Sequence, residues 1–100
     1  MKYQIMYLEE ALLDVKEAKE WYKNQKQGLQ KTFAYDIKNT ILRLLMNPYI
    51  HAVRYKNVRL ANATIFPYAV YYFIDDNAHK IVIIGILHNH RNPLVPKNRV

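Results

Sequence analysis

A chain of 100 residues, 51% of them hydrophobic, has room for one domain around a single core and is too apolar to be a disordered tail. No apolar run approaches the ~20 residues of a membrane span, the start Met1-Lys2-Tyr3-Gln4 lacks a signal segment, and the absence of cysteine excludes disulfides, thiol catalysis and Cys-type zinc sites. A cytoplasmic protein is therefore expected. The net charge of +7 is uneven: residues 1–50 carry eight Lys/Arg against six Asp/Glu, and residues 51–100 carry seven against two. A basic half poor in carboxylates suits phosphates or an acidic protein as partner, or simply keeps a small domain soluble.

Residues 3–7, Tyr-Gln-Ile-Met-Tyr, alternate like a short strand. Glu9 and Glu10 then suit the positive end of a helix dipole, and Ala11, Leu12, Val15, Ala18 and Tyr22 recur at helical steps. This predicts an amphipathic helix of roughly four turns, with Trp21 beside the stripe and Lys16, Lys19, Glu20 and Lys23 turned to water. Asn24 to Gly28 is a polar connection. Leu29, Phe33, Ile37, Ile41 and Leu44/Leu45 predict a second helix, stopped at Asn47-Pro48 because proline lacks the N–H and disfavours helical geometry before it. Two such helices make a hairpin that needs something apolar beneath it.

The second half supplies that surface. His51 to Ala61 is β-like but interrupted at Lys56-Asn57. Thr64 to Ile74 is a strand pattern with Phe66, Tyr68, Val70, Tyr72 and Ile74 on one face, and Pro67 implies an edge position or a bulge near its start. Asp75-Asp76-Asn77 is turn chemistry, and Lys80 to His88 is a second long strand, closing a hairpin. The expected fold is α+β, in the order β-α-α-β-β-β, with both helices on one face of a mainly antiparallel sheet. One domain spans residues 1–100, with 93–100 as a loose tail.

Several segments taken in order resemble the RelE/ParE superfamily of toxins. In the first helix these are Ala11, Asp14 and Trp21-Tyr22; in the second, Gly28-Leu29, Phe33 and Asn47-Pro48. Val58-Arg59 is similar to the family's arginine strand, and Phe66-Pro67-Tyr68, Tyr71-Tyr72 and His88-Asn89-His90-Arg91-Asn92-Pro93 are similar to its closing hairpin and H-x-x-R-x-P ending. The Phe-Pro-Tyr and H-x-x-R pieces look more like the ParE branch. Ile65 departs from the pattern, since a basic residue often stands there.

The resemblance implies a growth-inhibiting toxin of a type II toxin–antitoxin system, of the plasmid-stabilising kind. A small acidic antitoxin with a partly helical segment would wrap it, and DNA would be met only through the antitoxin complex. ParE-type toxins are associated with inhibition of DNA gyrase, without catalysis. RelE-type toxins cut mRNA on the ribosome. A decayed toxin serving only autoregulation is a third possibility.

Arginine, lysine and histidine are the side chains a metal-independent ribonuclease would use for phosphate contact and proton transfer. The candidate target-binding residues are Arg54, Arg59, His88, His90 and Arg91; if the chain is a nuclease, Arg59, His88 and Arg91 are the catalytic candidates. Whether the last strand ends at His88, gathering His88, His90 and Arg91 in a loop, or runs on through His90 is left open by the pattern. The alternative for Arg59 is an exposed edge ion pair, and for His88 local packing at a strand end. Lys16, Lys19, Lys23 and Lys26 are the expected antitoxin-binding charges. An H-x-H pair falls short of the three or four ligands zinc requires, so no metal or other cofactor is expected.

Overall fold

A computed structural model describes residues 2–89 and Arg99. Strand β1 is Gln4–Tyr7, helix α1 is Glu9–Gln25 and helix α2 is Leu29–Met46. Glu9 and Glu10 lie in the first turn of α1 and Lys23 in its last, each favourable to the helix dipole. Between the helices Gly28 takes a left-handed φ of +92°. Open space surrounds the position a Cβ would occupy, so glycine is needed there for its backbone conformation rather than for room. Helix α2 ends at Met46, with Asn47 as its cap and the buried Pro48 next, as expected.

The sheet has five strands in the order β1-β5-β4-β3-β2. Strands β2 (Val53–Tyr55), β3 (Val58–Asn62), β4 (Tyr68–Asp75) and β5 (Lys80–His88) pair antiparallel in succession, and β1 lies parallel to β5 at the edge. The segment expected as one interrupted strand is thus two. Lys56 adopts φ +48°, and the Lys56-Asn57 turn folds β2 back onto β3. The order of elements is β-α-α-β-β-β-β.

The strand expected from Thr64 begins only at Tyr68. The amides of Thr64, Ile65 and Phe66 turn instead to the Asp36 carboxylate on α2, at 3.1, 2.9 and 2.8 Å. Pro67 therefore precedes the ladder, where its missing N–H costs nothing. Neither the edge position nor the bulge expected for Pro67 applies there: β4 is an inner strand, and its bulge with β5 lies at Ile84, where Tyr71 pairs with Gly85 while Tyr72 pairs with Ile83, leaving Ile84 as the extra residue.

Both helices cover one face of the sheet. Ala11, Ala18, Tyr22, Phe33, Ile37, Ile41 and Leu44 meet Val70, Tyr72, Ile81, Ile83 and Ile86 in the main core. The stripe of α1 is narrower than its spacing predicts, because Leu12 is 53% exposed. Tyr22, Phe33, Phe66 and Tyr68 form an aromatic cluster with ring centroids 4.8–6.1 Å apart, within the favourable range for ring pairs. On the opposite face Val58, Val82 and Ile84 form a smaller core with Leu8, Tyr55, Tyr71 and Phe73. Among the described residues no helix is long and apolar enough to cross a membrane.

Tyr72 joins the layers. Its ring is fully buried, and its hydroxyl donates to the Pro48 carbonyl at 2.8 Å, holding the end of α2 on β4. Burial pushes its phenol up to about 12, with the Arg59 charge opposing. The raised value favours the neutral form in the fold, so the contribution to stability is complete below pH ~10, the ordinary tyrosine value, and is lost as pH rises towards 12. Tyr72→Phe is expected to cost about 1–3 kcal/mol in urea unfolding at pH 7, because the Pro48 carbonyl loses its donor. It should also flatten this alkaline fall in stability.

Candidate functional site

The functional candidates occupy opposite ends of the sheet. Arg59 sits opposite Tyr72 on the helix-covered face, at the end where the loop after α2 passes. Its Nη1 donates to the carbonyl oxygens of Tyr49 and His51 at 3.3 and 2.5 Å, and its guanidinium carbon lies 5.0 Å from the Tyr49 ring centre. Tyr49 in turn donates to Asp76 in the β4–β5 turn, and the Tyr3 hydroxyl reaches the other oxygen of the same carboxylate at 2.8 Å. These two hydroxyls hold the Asp76 carboxyl below its ordinary range. The hydrogen bond to Asp76 and the negative charge raise the Tyr49 phenol. Arg59 is thus built into a network joining the start of the chain, the loop after α2 and a hairpin turn.

Two residues that the sequence did not single out stand near it. The His51 ring meets the Tyr72 ring edge-on at 6.4 Å. Burial lowers the His51 pKa, and the charges of Arg43 and Arg59 lower it further. Arg43 reaches Thr64 and Thr40 from α2, at 3.2 and 3.4 Å. Nothing in the local sequence around His51 or Arg43 marks them, because helix packing brings Arg43 to this end. Arg54 is exposed on the edge strand β2.

His88 ends β5 at the other end of the sheet. It sits opposite Tyr68, and the two rings meet edge-on at 5.3 Å. Strand β5 stops here, and the next amide, Asn89, donates to the Pro67 carbonyl at 2.9 Å. His88 borders a cleft of about 360 Å³ beside α1, which Asp14, Glu17, Trp21, Tyr22 and Tyr68 also line. The partners of Arg59 and His88 on β4, Tyr72 and Tyr68, are four residues apart. With two strand spacings added, the two side chains arise on the order of 15 Å apart. The structure therefore does not bring Arg59 and His88 to one phosphate-sized point. His90 and Arg91 lie outside the described residues. Among the described residues, no His, Asp or Glu group is placed to hold a metal.

A wider groove of about 690 Å³ runs between the two helices. Leu12, Val15, Ile37, Ile41 and Ile86 make its apolar walls and floor, and Lys16, Lys19 and Lys38, with the single acid Glu20, edge it. Two of the four lysines expected to meet an antitoxin border this groove; Lys23 and Lys26 do not. Lys38 does, brought there by the register of α2 against α1 rather than by any sequence signal.

A helical hairpin on one face of this five-stranded sheet is the architecture of the RelE/ParE toxins. The chain matches the structure of the chromosomal ParDE toxin–antitoxin system from P. aeruginosa with a TM-score of 0.75 at 15% identity, over 87% of this chain and 96% of that one. It matches the intact E. coli RelBE complex with a TM-score of 0.68 at 17% identity, over 89% and 99% of the two chains. The archaeal RelE–RelB complex from Pyrococcus horikoshii gives 0.58 at 16% identity, over 92% and 100%. A search of curated protein sequences finds no match. The family described as the ParE toxin of the type II toxin–antitoxin system parDE matches residues 5–93, and the chain belongs to it.

Since Arg59 bonds to two backbone carbonyls, it holds the loop after α2 in place. Arg59→Gln is expected to cost about 1.5–3 kcal/mol, the scale of hydrogen bonds involving a charged group. In a domain of this size that lowers the melting temperature by on the order of 5 °C per kcal/mol. A calorimetric scan of the two proteins measures it.

Proposed function

We propose that this chain is a growth-arresting toxin that inhibits DNA gyrase by protein–protein contact and is neutralised by a small acidic antitoxin. The match of the ParE toxin family over residues 5–93 carries this proposal. The separation of Arg59 from His88 adds support. A metal-independent ribonuclease needs its phosphate-holding cation and its proton-transfer group at one phosphodiester. Inhibition by contact has no such requirement and can use a basic surface spread over the molecule, on which Arg54 is available.

The expected outcome is that expression alone stops bacterial growth and that co-expression of an adjacent acidic antitoxin frame restores it. Purified toxin should block gyrase supercoiling and leave mRNA intact in primer extension on a reconstituted translation system. Codon-positioned cuts that disappear in His88→Ala would replace the gyrase inhibitor with a RelE-like endonuclease, since a proton-transfer group contributes ~10²–10⁴ in rate. Normal growth on overproduction of soluble, folded protein would indicate a decayed toxin that acts only in the antitoxin complex.

The groove between the helices is the proposed antitoxin seat. An amphipathic segment would lay apolar side chains over Leu12, Val15, Ile37 and Ile41, and its acids would meet Lys16, Lys19 and Lys38. Lys23 and Lys26 would extend the attraction beyond the groove. The association rate should then fall roughly tenfold or more between low salt and several times physiological ionic strength, as the Debye length shrinks below ~8 Å. Stopped-flow mixing over a salt series checks this, and a flat series removes charge steering.

A further inference from the structure

Past the end of β1, strand β5 runs on along an edge that no described strand covers. The last β1 contact is the Leu8 amide donating to the Ile83 carbonyl at 3.0 Å. The bulge at Ile84 then turns the Ile84 carbonyl and the Ile86 amide towards this edge. Such a carbonyl and amide, two residues apart, are the groups a neighbouring strand would bond. Two side chains take them instead. Asp14 of α1 accepts the Ile86 N–H at 3.0 Å, and Arg99 donates to the Ile84 carbonyl at 3.1 Å.

The two side chains also bond each other in the forked manner of arginine and carboxylate, Nη1 to Oδ2 at 2.6 Å and Nη2 to Oδ1 at 3.1 Å. Their side chains are only 15% and 9% exposed. Gly85 makes the space: a Cβ there would stand 2.9 Å from Arg99 Nη1 and 3.6 Å from Asp14 Oδ2. The missing side chain, the bulge and the carboxylate together form a notch complementary in shape and charge to a guanidinium. The notch opens into the cleft lined by Glu17, Trp21, Tyr22 and His88, where Trp21 is 57% exposed.

We propose that Asp14, the Ile84 carbonyl and Gly85 form an arginine subsite at the edge of β5 beyond the end of β1. Arg99 fills it from within the chain, and a peptide segment bearing arginine takes it in trans, lying in the adjoining cleft against Glu17, Trp21 and Tyr22. The forked pairing with Asp14 and the bond to the Ile84 carbonyl supply the choice of side chain. Arg99 acts as a built-in competitor, present at the effective concentration of a tethered group.

The test uses full-length Arg99→Ala protein and the blocked tripeptide Asn-Arg-Val, the sequence of residues 98–100, followed by amide shifts in nuclear magnetic resonance spectra. Saturable shifts at Gly85 and Ile86 are expected. Binding should be roughly tenfold or more weaker to the unaltered protein, where tethered Arg99 competes. It should weaken similarly for the peptide Asn-Gln-Val, and for Arg99→Ala protein that also carries Asp14→Asn. Equal binding of the arginine and glutamine peptides, shifts away from the β5 edge, or no saturation would each overturn the proposal. If Arg99→Ala does not fold, Arg99→Lys replaces it, keeping the charge but losing the fork. The arginine peptide must then displace the lysine with the same shifts, and failure to do so refutes the subsite.

Discussion

The architecture depends on one carboxylate. Asp36 is buried in the middle of α2 and accepts three consecutive amides, from Thr64, Ile65 and Phe66. A buried charge without partners costs several kcal/mol, whereas one with several N–H donors is held in a single geometry. Those three amides cannot join the sheet while they face α2, so the strand starts after them. Phe66 is thereby set down edge-on against both Tyr22 and Phe33, and Tyr68 reaches both rings from the first position of β4. The Asp36 contact thus fixes where the helix hairpin sits on the sheet, and with it the wall of the cleft beside His88. Thr40, one turn further along α2, bonds back to the Asp36 carbonyl at 2.8 Å and keeps its own hydroxyl satisfied in the same layer.

The two ends of the sheet have different characters. At the Arg59 end, side chains bond across three segments: Tyr3 and Tyr49 share Asp76, and Arg59 spans two loop carbonyls. This end is a brace. At the His88 end, backbone groups of β5 outrun their strand partner, and a cleft with acidic and aromatic walls lies alongside. Here side chains, Asp14 and Arg99, cap the strand's backbone groups. The bulge at Ile84 connects the two, since it shifts which β5 groups face the edge after β1 has stopped. Without it, the Ile84 carbonyl and the Ile86 amide would not both point where Asp14 and Arg99 receive them.

Membership of the ParE family and the placement of its charges agree on how such a molecule would use its surface. The groove between the helices is apolar, with Lys16, Lys19, Lys38 and Glu20 at its rim. The cleft on the far side of α1 contains Asp14 and Glu17, so it prefers a cation. The two sides of α1 therefore differ in charge in a protein whose net charge is +7.

Much of this was legible in the residues. Four-residue steps from Leu29 to Leu44, the stop at Asn47-Pro48 and the alternation from Tyr68 to Ile74 are local patterns, and local patterns specify helices, strands and the faces they bury. The family resemblance was equally legible, because it rests on short motifs in order. Sequence could not choose whether Lys56-Asn57 interrupts a strand or turns it, since that depends on Lys56 accepting a positive φ. Nor could it show that Thr64–Phe66 leaves the sheet for Asp36, or that Arg99 reaches Asp14 across 85 positions. Arg59 was identified from its chemistry, but its carbonyl partners and its distance from His88 follow from the strand register. By itself the sequence determined the two helices, the closing hairpin, their order and the family, because these arise from neighbours along the chain. Only the tertiary structure decided which charges are tied down and which backbone groups side chains cap, because those depend on contacts between residues that are remote in sequence and brought together by burial.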